Sequence, residues 1–180
     1  MKSILVFVAF LACNFSQKHE RSAASAGSTE SLAPVAVDTI APPVFDAQSR
    51  LVRLNKSDAA WQNELGELEF YVLREKGTER AFTGDLLSEK KKGLFVCRGC
   101  HLPLFGSDAK FESGTGWPSF WKPVGPGLVA EHKDASHGMV RTEVTCARCE
   151  GHLGHVFDDG PKPTGLRYCI NSVSLDFVPN

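Results

Sequence analysis

Two Cys-x-x-Cys pairs, Cys97-Arg-Gly-Cys100 and Cys146-Ala-Arg-Cys149, carry the most explicit chemistry in the chain. Each brings two sulfurs to one side of a tight turn, and four thiolates close a tetrahedral zinc shell. The competing readings are a pair of disulfides, or a redox couple of the thioredoxin sort. Against them, a duplicated pair is what a closed metal shell needs, and neither pair sits in a strand-helix-strand context. A shell of four protein ligands has no open position, so a single Zn2+ here holds the fold together and catalysis comes from elsewhere.

The remaining cysteine of the folded part, Cys169, lies in Gly165-Leu-Arg-Tyr-Cys-Ile-Asn-Ser172. The attacking form of cysteine is the thiolate, and a nearby guanidinium favours it. On an extended strand alternate residues share a face, so Arg167, Cys169 and Asn171 project together as charge stabiliser, nucleophile and amide. Histidine is the usual proton donor near neutral pH, and Gly151-His152-Leu-Gly-His155-Val-Phe157 follows the second cysteine pair closely. His152 and His155 read either as that donor or as hydrogen-bonded structural histidines; His101, His132 and His137 are less suggestive. Ser113-Gly-Thr-Gly-Trp117-Pro-Ser-Phe120-Trp121 is a Gly-rich turn feeding three aromatics, which fits a small apolar pocket and ordinary core equally.

The elements that must position these residues follow from the hydrophobic pattern. Ser57-Asp58 offers a helix cap, and Trp61, Leu65, Leu68, Tyr71 and Val72 recur at spacings of three and four, which predicts one or two short helices. Gly77-Thr-Glu-Arg80 and Gly84-Asp85 break that pattern. After Gly93 come short apolar runs bounded by Gly, Pro, Asp and Ser: Leu94–Val96, Leu128–Ala130, Met139–Val144, His155–Phe157, Arg167–Ile170 and Val173–Val178. These predict a mainly β, antiparallel domain over residues 56–180 behind short N-terminal helices.

The first 55 residues read as address and tether. Residues 1–13 place Lys2 before the apolar run Ile4–Leu11 and then Ala12-Cys13, the layout of a secretory signal. A small residue directly before Cys13 resembles a bacterial lipoprotein signal, with Cys13 lipidated as a membrane anchor; ordinary cleavage is the alternative, and both export the protein to the cell envelope or periplasm. Residues 14–55, rich in Ser, Ala, Gly, Thr and Pro, bury too little apolar surface to offset ordering entropy and read as a flexible tether. The whole chain of 180 residues fits one ordinary domain beyond this segment, and 20 Lys+Arg against 21 Asp+Glu argue against a nucleic acid partner.

Taken together, Cys97-x-x-Cys100, Lys110-Phe-Glu-Ser-Gly-Thr-Gly-Trp-Pro-Ser-Phe120, Cys146-x-x-Cys149, Gly151–Phe157 and Arg167–Ser172 resemble methionine sulfoxide reductase B, over about Ser57 to Phe177 and including Arg74–Glu79. The resemblance implies two antiparallel sheets with a structural zinc site, and reduction of the R epimer of methionine sulfoxide, free or in oxidised proteins. It makes Cys169 the nucleophile that is left as sulfenic acid, His155 the acid with His152 beside it, and Asn171 an orienting group. It makes Trp117 and Phe157 substrate-binding, with the Trp117 ring against the sulfoxide's methyl group. Many members of the family carry a resolving cysteine where this chain has Thr115, so recycling by a thioredoxin-like or small-thiol reductant must act on Cys169 directly. Two other readings of the residues stand beside it: a Cys/His/Asn thiol hydrolase and a non-catalytic zinc-ribbon binding module.

Overall fold

A computed structural model describes residues 45–46 and 50–180. The expected signal segment and most of the expected tether lie outside the described residues. Two helices open the folded part, α1 (Asp58–Glu64) and α2 (Glu67–Glu75). The Ser57 hydroxyl accepts from the Ala60 N–H at 3.3 Å, capping α1 as its sequence position predicts. Glu69 accepts from the Gly66 N–H at 2.9 Å at the start of α2. The second helix stops where Lys76 turns left-handed, at φ 60°.

Nine strands follow: β1 (Gly93–Cys97), β2 (Pro103–Gly106), β3 (Lys110–Phe111), β4 (Ser119–Phe120), β5 (Val129–Asp134), β6 (Arg141–Cys146), β7 (His152–Phe157), β8 (Arg167–Ile170) and β9 (Leu175–Pro179). They form two antiparallel sheets, ordered β2-β1-β9 and β3-β4-β8-β7-β6-β5. The mainly β, two-sheet architecture expected from the sequence is the one observed. Three strands were not legible: β3 and β4 are two residues long, and β2 opens on Pro and closes on Gly, so none shows a period. Val173 begins no strand, because Ser172–Ser174 form a 3-10 turn before β9. Likewise Met139 and Val140 are exposed in a connection, and β6 starts at Arg141.

The sheets meet through aromatic rings. Phe120 of the larger sheet stacks on Phe105 at 4.5 Å and meets Phe95 edge-on at 4.9 Å, both from the smaller sheet. Leu102, Leu104, Leu153, Ile170 and Leu175 complete a fully buried core, each such side chain contributing about 1.5–3 kcal/mol of burial. This packing decides the face of β8. Tyr168 and Ile170 point into the core, so the alternation of a strand turns Arg167 and Cys169 to the opposite face. Upstream, Leu51 and Leu54, within the stretch read as tether, pack against the core, and the Leu54 N–H donates to the Arg148 carbonyl at 2.6 Å.

Candidate active site and metal centre

The two cysteine pairs form matching turns at the ends of β1 and β6. His101 N–H donates to the Cys97 carbonyl at 2.8 Å and Glu150 N–H to that of Cys146 at 2.9 Å. Both donors are left-handed, at φ 56° and 61°. Each turn closes again, Cys97 N–H donating to Leu102 and Cys146 N–H to Gly151, both at 2.9 Å. The four thiols are buried and their sulfurs lie within 4.8 Å of one another, Cys97 to Cys149 at 3.6 Å and Cys100 to Cys146 at 3.5 Å. A disulfide would need about 2.05 Å, whereas a tetrahedron with metal–sulfur bonds of about 2.3 Å separates its sulfurs by about 3.8 Å. The cluster therefore fits a zinc ion and does not fit disulfides; all five cysteines among the described residues are free.

Strand register assembles a second site. Cys169 of β8 stands directly opposite His155 of β7 on one side and Ser119 of β4 on the other. His155 in turn faces Glu143 of β6. Directly opposed residues share a sheet face, so a serine, a thiol, an imidazole and a carboxylate form one row across four strands. Gly154 makes this possible: at φ 155° a methyl group there would sit 2.1 Å from the Cys169 carbonyl oxygen, so only glycine lets β7 lie this close to β8. Beside the row opens a cavity of about 130 Å³ lined by Thr78, Trp117, Arg141, Gly154, His155, Phe157, Cys169 and Asn171.

The aromatics of the Gly-rich segment divide between the two roles the sequence allowed. Trp117 lines the cavity and Phe120 is core. The Trp117 indole N–H donates to the Glu79 carbonyl at 3.2 Å, which fixes the ring's orientation.

Of the expected polar residues, His155 and Asn171 line the cavity with Cys169. Asn171 Oδ1 accepts from the Glu79 N–H at 3.0 Å and its Nδ2 donates to the Leu153 carbonyl at 3.0 Å, so its amide fastens loops to the cavity wall. His152 lies behind the wall, 3% exposed, its ring 5.4 Å from that of His155. Burial pushes its imidazole below the usual range despite Glu143. Burial raises Glu143, but Lys76 and His152 outweigh it and hold that carboxyl below its ordinary value. A neutral His152 therefore donates its Nδ1–H to the ionised Glu143, at 2.8 Å. Hydrogen bonds from the Ser136 hydroxyl and N–H, then from His155 and Arg141, hold Asp134 well below the carboxylate range. An ionised Asp134 only accepts, so the His155 nitrogen 2.8 Å from it, Nε2, carries a hydrogen.

Arg167 is gripped by Asp159 through two hydrogen bonds of 2.8 Å, and its guanidinium lies 4.4 Å from the centre of the Phe157 ring. Arg167 favours the Cys169 thiolate as expected, but it is not the largest influence on that proton. Burial is the largest influence and pushes the thiol up; Thr115 and Arg167 pull it down, and Asp159 works against them. The net direction is upward because burial outweighs Thr115 and Arg167, and the Asp159 carboxylate that orients Arg167 adds a smaller push the same way.

Sequence reading did not single out Thr78, Arg141, Asp134, Glu143, Asp159 or Glu79 as members of the site. Thr78 and Glu79 lie within the Arg74–Glu79 stretch of the resemblance, which gave them no role; the others enter through register or contacts made by the fold, for which a single sequence holds no signal. Thr115 was read only as the missing resolving position; its hydroxyl oxygen stands 3.7 Å from the Cys169 sulfur.

Comparison with known proteins fits this arrangement. A family model described as SelR domain matches residues 65–179. A peptide methionine sulfoxide reductase MsrB of Agrobacterium fabrum is 58% identical over 127 residues, 71% of this chain and 94% of that protein. One from Leptospira interrogans is 60% identical over 124 residues, 69% and 95% of the two chains. One from Acinetobacter baumannii is 57% identical over 123 residues, 68% and 88%. With the family model spanning most of the chain and relatives this similar aligned almost end to end, the chain belongs to the methionine sulfoxide reductase B family.

Proposed function

We propose that this protein reduces the R epimer of methionine sulfoxide, in oxidised proteins or free, by way of a Cys169 sulfenic acid. The observation that carries the reading is the direct opposition of Cys169 and His155 across β7 and β8, beside a cavity walled by Trp117 and Phe157. The sulfoxide's methyl group rests against Trp117, which brings its sulfur to Cys169 and its oxygen to His155. Cys169 attacks as thiolate while His155 protonates the oxygen, which would otherwise leave poorly; a positioned acid is worth roughly 10²- to 10⁴-fold. With Nε2–H directed to Asp134, His155 delivers a proton from its other ring nitrogen and so acts as the acid in its imidazolium form. As the bond from the Cys169 sulfur to the substrate sulfur forms, the protonated oxygen leaves as hydroxide. Hydroxide then attacks the Cys169 sulfur, and methionine departs with the electron pair of the sulfur–sulfur bond. Cys169, now sulfenic acid, has lost the two electrons that methionine gained.

Recycling needs two thiol equivalents. The first condenses with the sulfenic acid to a mixed disulfide and releases water, and the second frees Cys169 as the donor pair leaves oxidised. Thr115 stands at the resolving position, and the four other free cysteines among the described residues lie together in the buried cluster. A thioredoxin-like protein or a small thiol therefore attacks Cys169 itself. Zinc held by Cys97, Cys100, Cys146 and Cys149 supplies structure and leaves the reaction to the other site. Export rests on residues 1–13, and we propose a lipid anchor at Cys13, residues 14–55 as tether, and repair of oxidised envelope proteins.

The test is consumption of a racemic methionine sulfoxide peptide with dithiothreitol, the epimers being resolved by chromatography. Loss of the R epimer alone, abolished in Cys169→Ser with fold and zinc retained, is the expected result. No consumption by the folded, zinc-loaded protein would sink the reading and return the hydrolase and binding-module alternatives.

A further inference from the structure

Glu79 is buried, 4% exposed, and stands far in sequence from Cys169 and the turn that follows it. A buried carboxylate is costly unless its acceptors are satisfied. This one accepts from the Ser172 N–H and, at 3.1 Å, from the Val173 N–H, the first amides of the 3-10 turn that follows Asn171. The main chain of the same residue is equally committed to the site. Its N–H donates to Asn171 Oδ1 at 3.0 Å and its carbonyl accepts from the Trp117 indole at 3.2 Å. The clamp is tight on both sides: Leu86 N–H donates to the Ser172 hydroxyl at 2.8 Å, and a methyl group on Gly84 would lie 2.3 Å from Ser172 Cβ and 2.9 Å from the Glu79 carboxylate.

We propose that Glu79 is the positioning residue of this site, its carboxylate anchoring the turn beyond Cys169 while its main chain holds the Trp117 ring and the Asn171 amide in the cavity wall. The chemistry requires an acid at this position. Both carboxylate oxygens accept, whereas a glutamine turns an N–H₂ group toward one of the two amides and opposes donor to donor. Released from the turn, residue 79 carries the indole's acceptor with it, so the effect falls on the wall that grips the substrate and leaves the nucleophile in place.

The inference rests on the reductase reading, and one experiment separates the two. Full-length Glu79→Gln, with zinc content and melting curve checked, is compared with the unsubstituted chain in three measurements. These are KM and kcat for an oxidised-methionine peptide, alkylation of Cys169 by iodoacetamide, and the indole N–H resonance of Trp117, assigned by its loss in Trp117→Phe. The expected result is a displaced indole resonance and a KM raised roughly tenfold, with kcat and alkylation each within about threefold. An unmoved resonance with unchanged KM overturns the proposal, and so does a parallel fall in kcat and alkylation, which marks general loosening. Should Glu79→Gln fail to fold, Glu79→Asp keeps two acceptors on a shorter stem and the same readings decide. Absence of turnover in the unsubstituted protein defeats the reductase reading alone, because resonance and alkylation need no turnover.

Discussion

Cys169 is subject to opposing influences on a single proton. Burial favours the neutral thiol, Thr115 and Arg167 favour the thiolate, and Asp159 opposes Arg167 while fixing its orientation. With the folded value above that of an ordinary thiol, the thiolate fraction rises only on the alkaline side. The alkylation rate of Cys169 is expected to climb with a midpoint above an unhindered cysteine's. In Arg167→Ala the midpoint moves further up, since a stabiliser of the anion has been removed, and the rate at neutral pH falls about three- to tenfold. A midpoint that moves down would show that the guanidinium's charge does not reach the sulfur. Residue types alone placed Arg167 and Cys169 on one face, which alternation along β8 bears out. The sign of the net effect was hidden, because it depends on burial by the opposing loops and on Asp159.

At the scale of strands, two adjustments are testable. Gly154→Ala pushes a methyl group into the Cys169 carbonyl and separates β7 from β8. It is expected to cost about 1–3 kcal/mol of stability, as an overpacked contact does, and to lower turnover more than Cys169 alkylation, since His155 moves away from the thiol it faces. Equal loss of both would mean that the strand pair is not what aligns acid with nucleophile. Thr115→Cys places a second thiol beside Cys169, where the hydroxyl now lies at 3.7 Å. Thioredoxin-dependent turnover is expected to rise roughly tenfold or more, because an intramolecular partner traps the sulfenic acid before a second molecule arrives. Unchanged turnover would place the slow step outside the resolution of Cys169. The helices and the longer strands were legible through caps and apolar runs. Strands β3 and β4 were not, and β4 sets Ser119 beside Cys169.

For the molecule as a whole, the four-cysteine cluster joins the end of β1 in one sheet to the end of β6 in the other. Replacing Cys97 or Cys146 by Ser is expected to release one zinc equivalent and lower the melting temperature by roughly 10 °C or more, since binding free energy here is folding free energy. A metal-free variant with unchanged melting and turnover would contradict the structural assignment. At the other end of the chain, incorporation of labelled palmitate that is lost in Cys13→Ala is the expected signature of the lipid anchor. Export without label would mean that Cys13 is removed with an ordinary signal.

The sequence by itself determined the chemistry available to this protein. The duplicated Cys-x-x-Cys turns, the lone Cys169 between Arg167 and Asn171, and the paired histidines are local patterns, and local patterns survive in one dimension. Tertiary structure decided which of these groups meet. The inward packing of Tyr168 and Ile170 turned Cys169 away from the core, and register set His155 against it rather than His152. Glu79, Asp134 and Glu143 gained partners across long stretches of chain, in Asn171, His155 and Lys76, and Asp159 met Arg167 only through the turn between β7 and β8. Hydrogen bonds and burial depend on distances in space, and those are set by the packing of two sheets rather than by the spacing of residues along a chain.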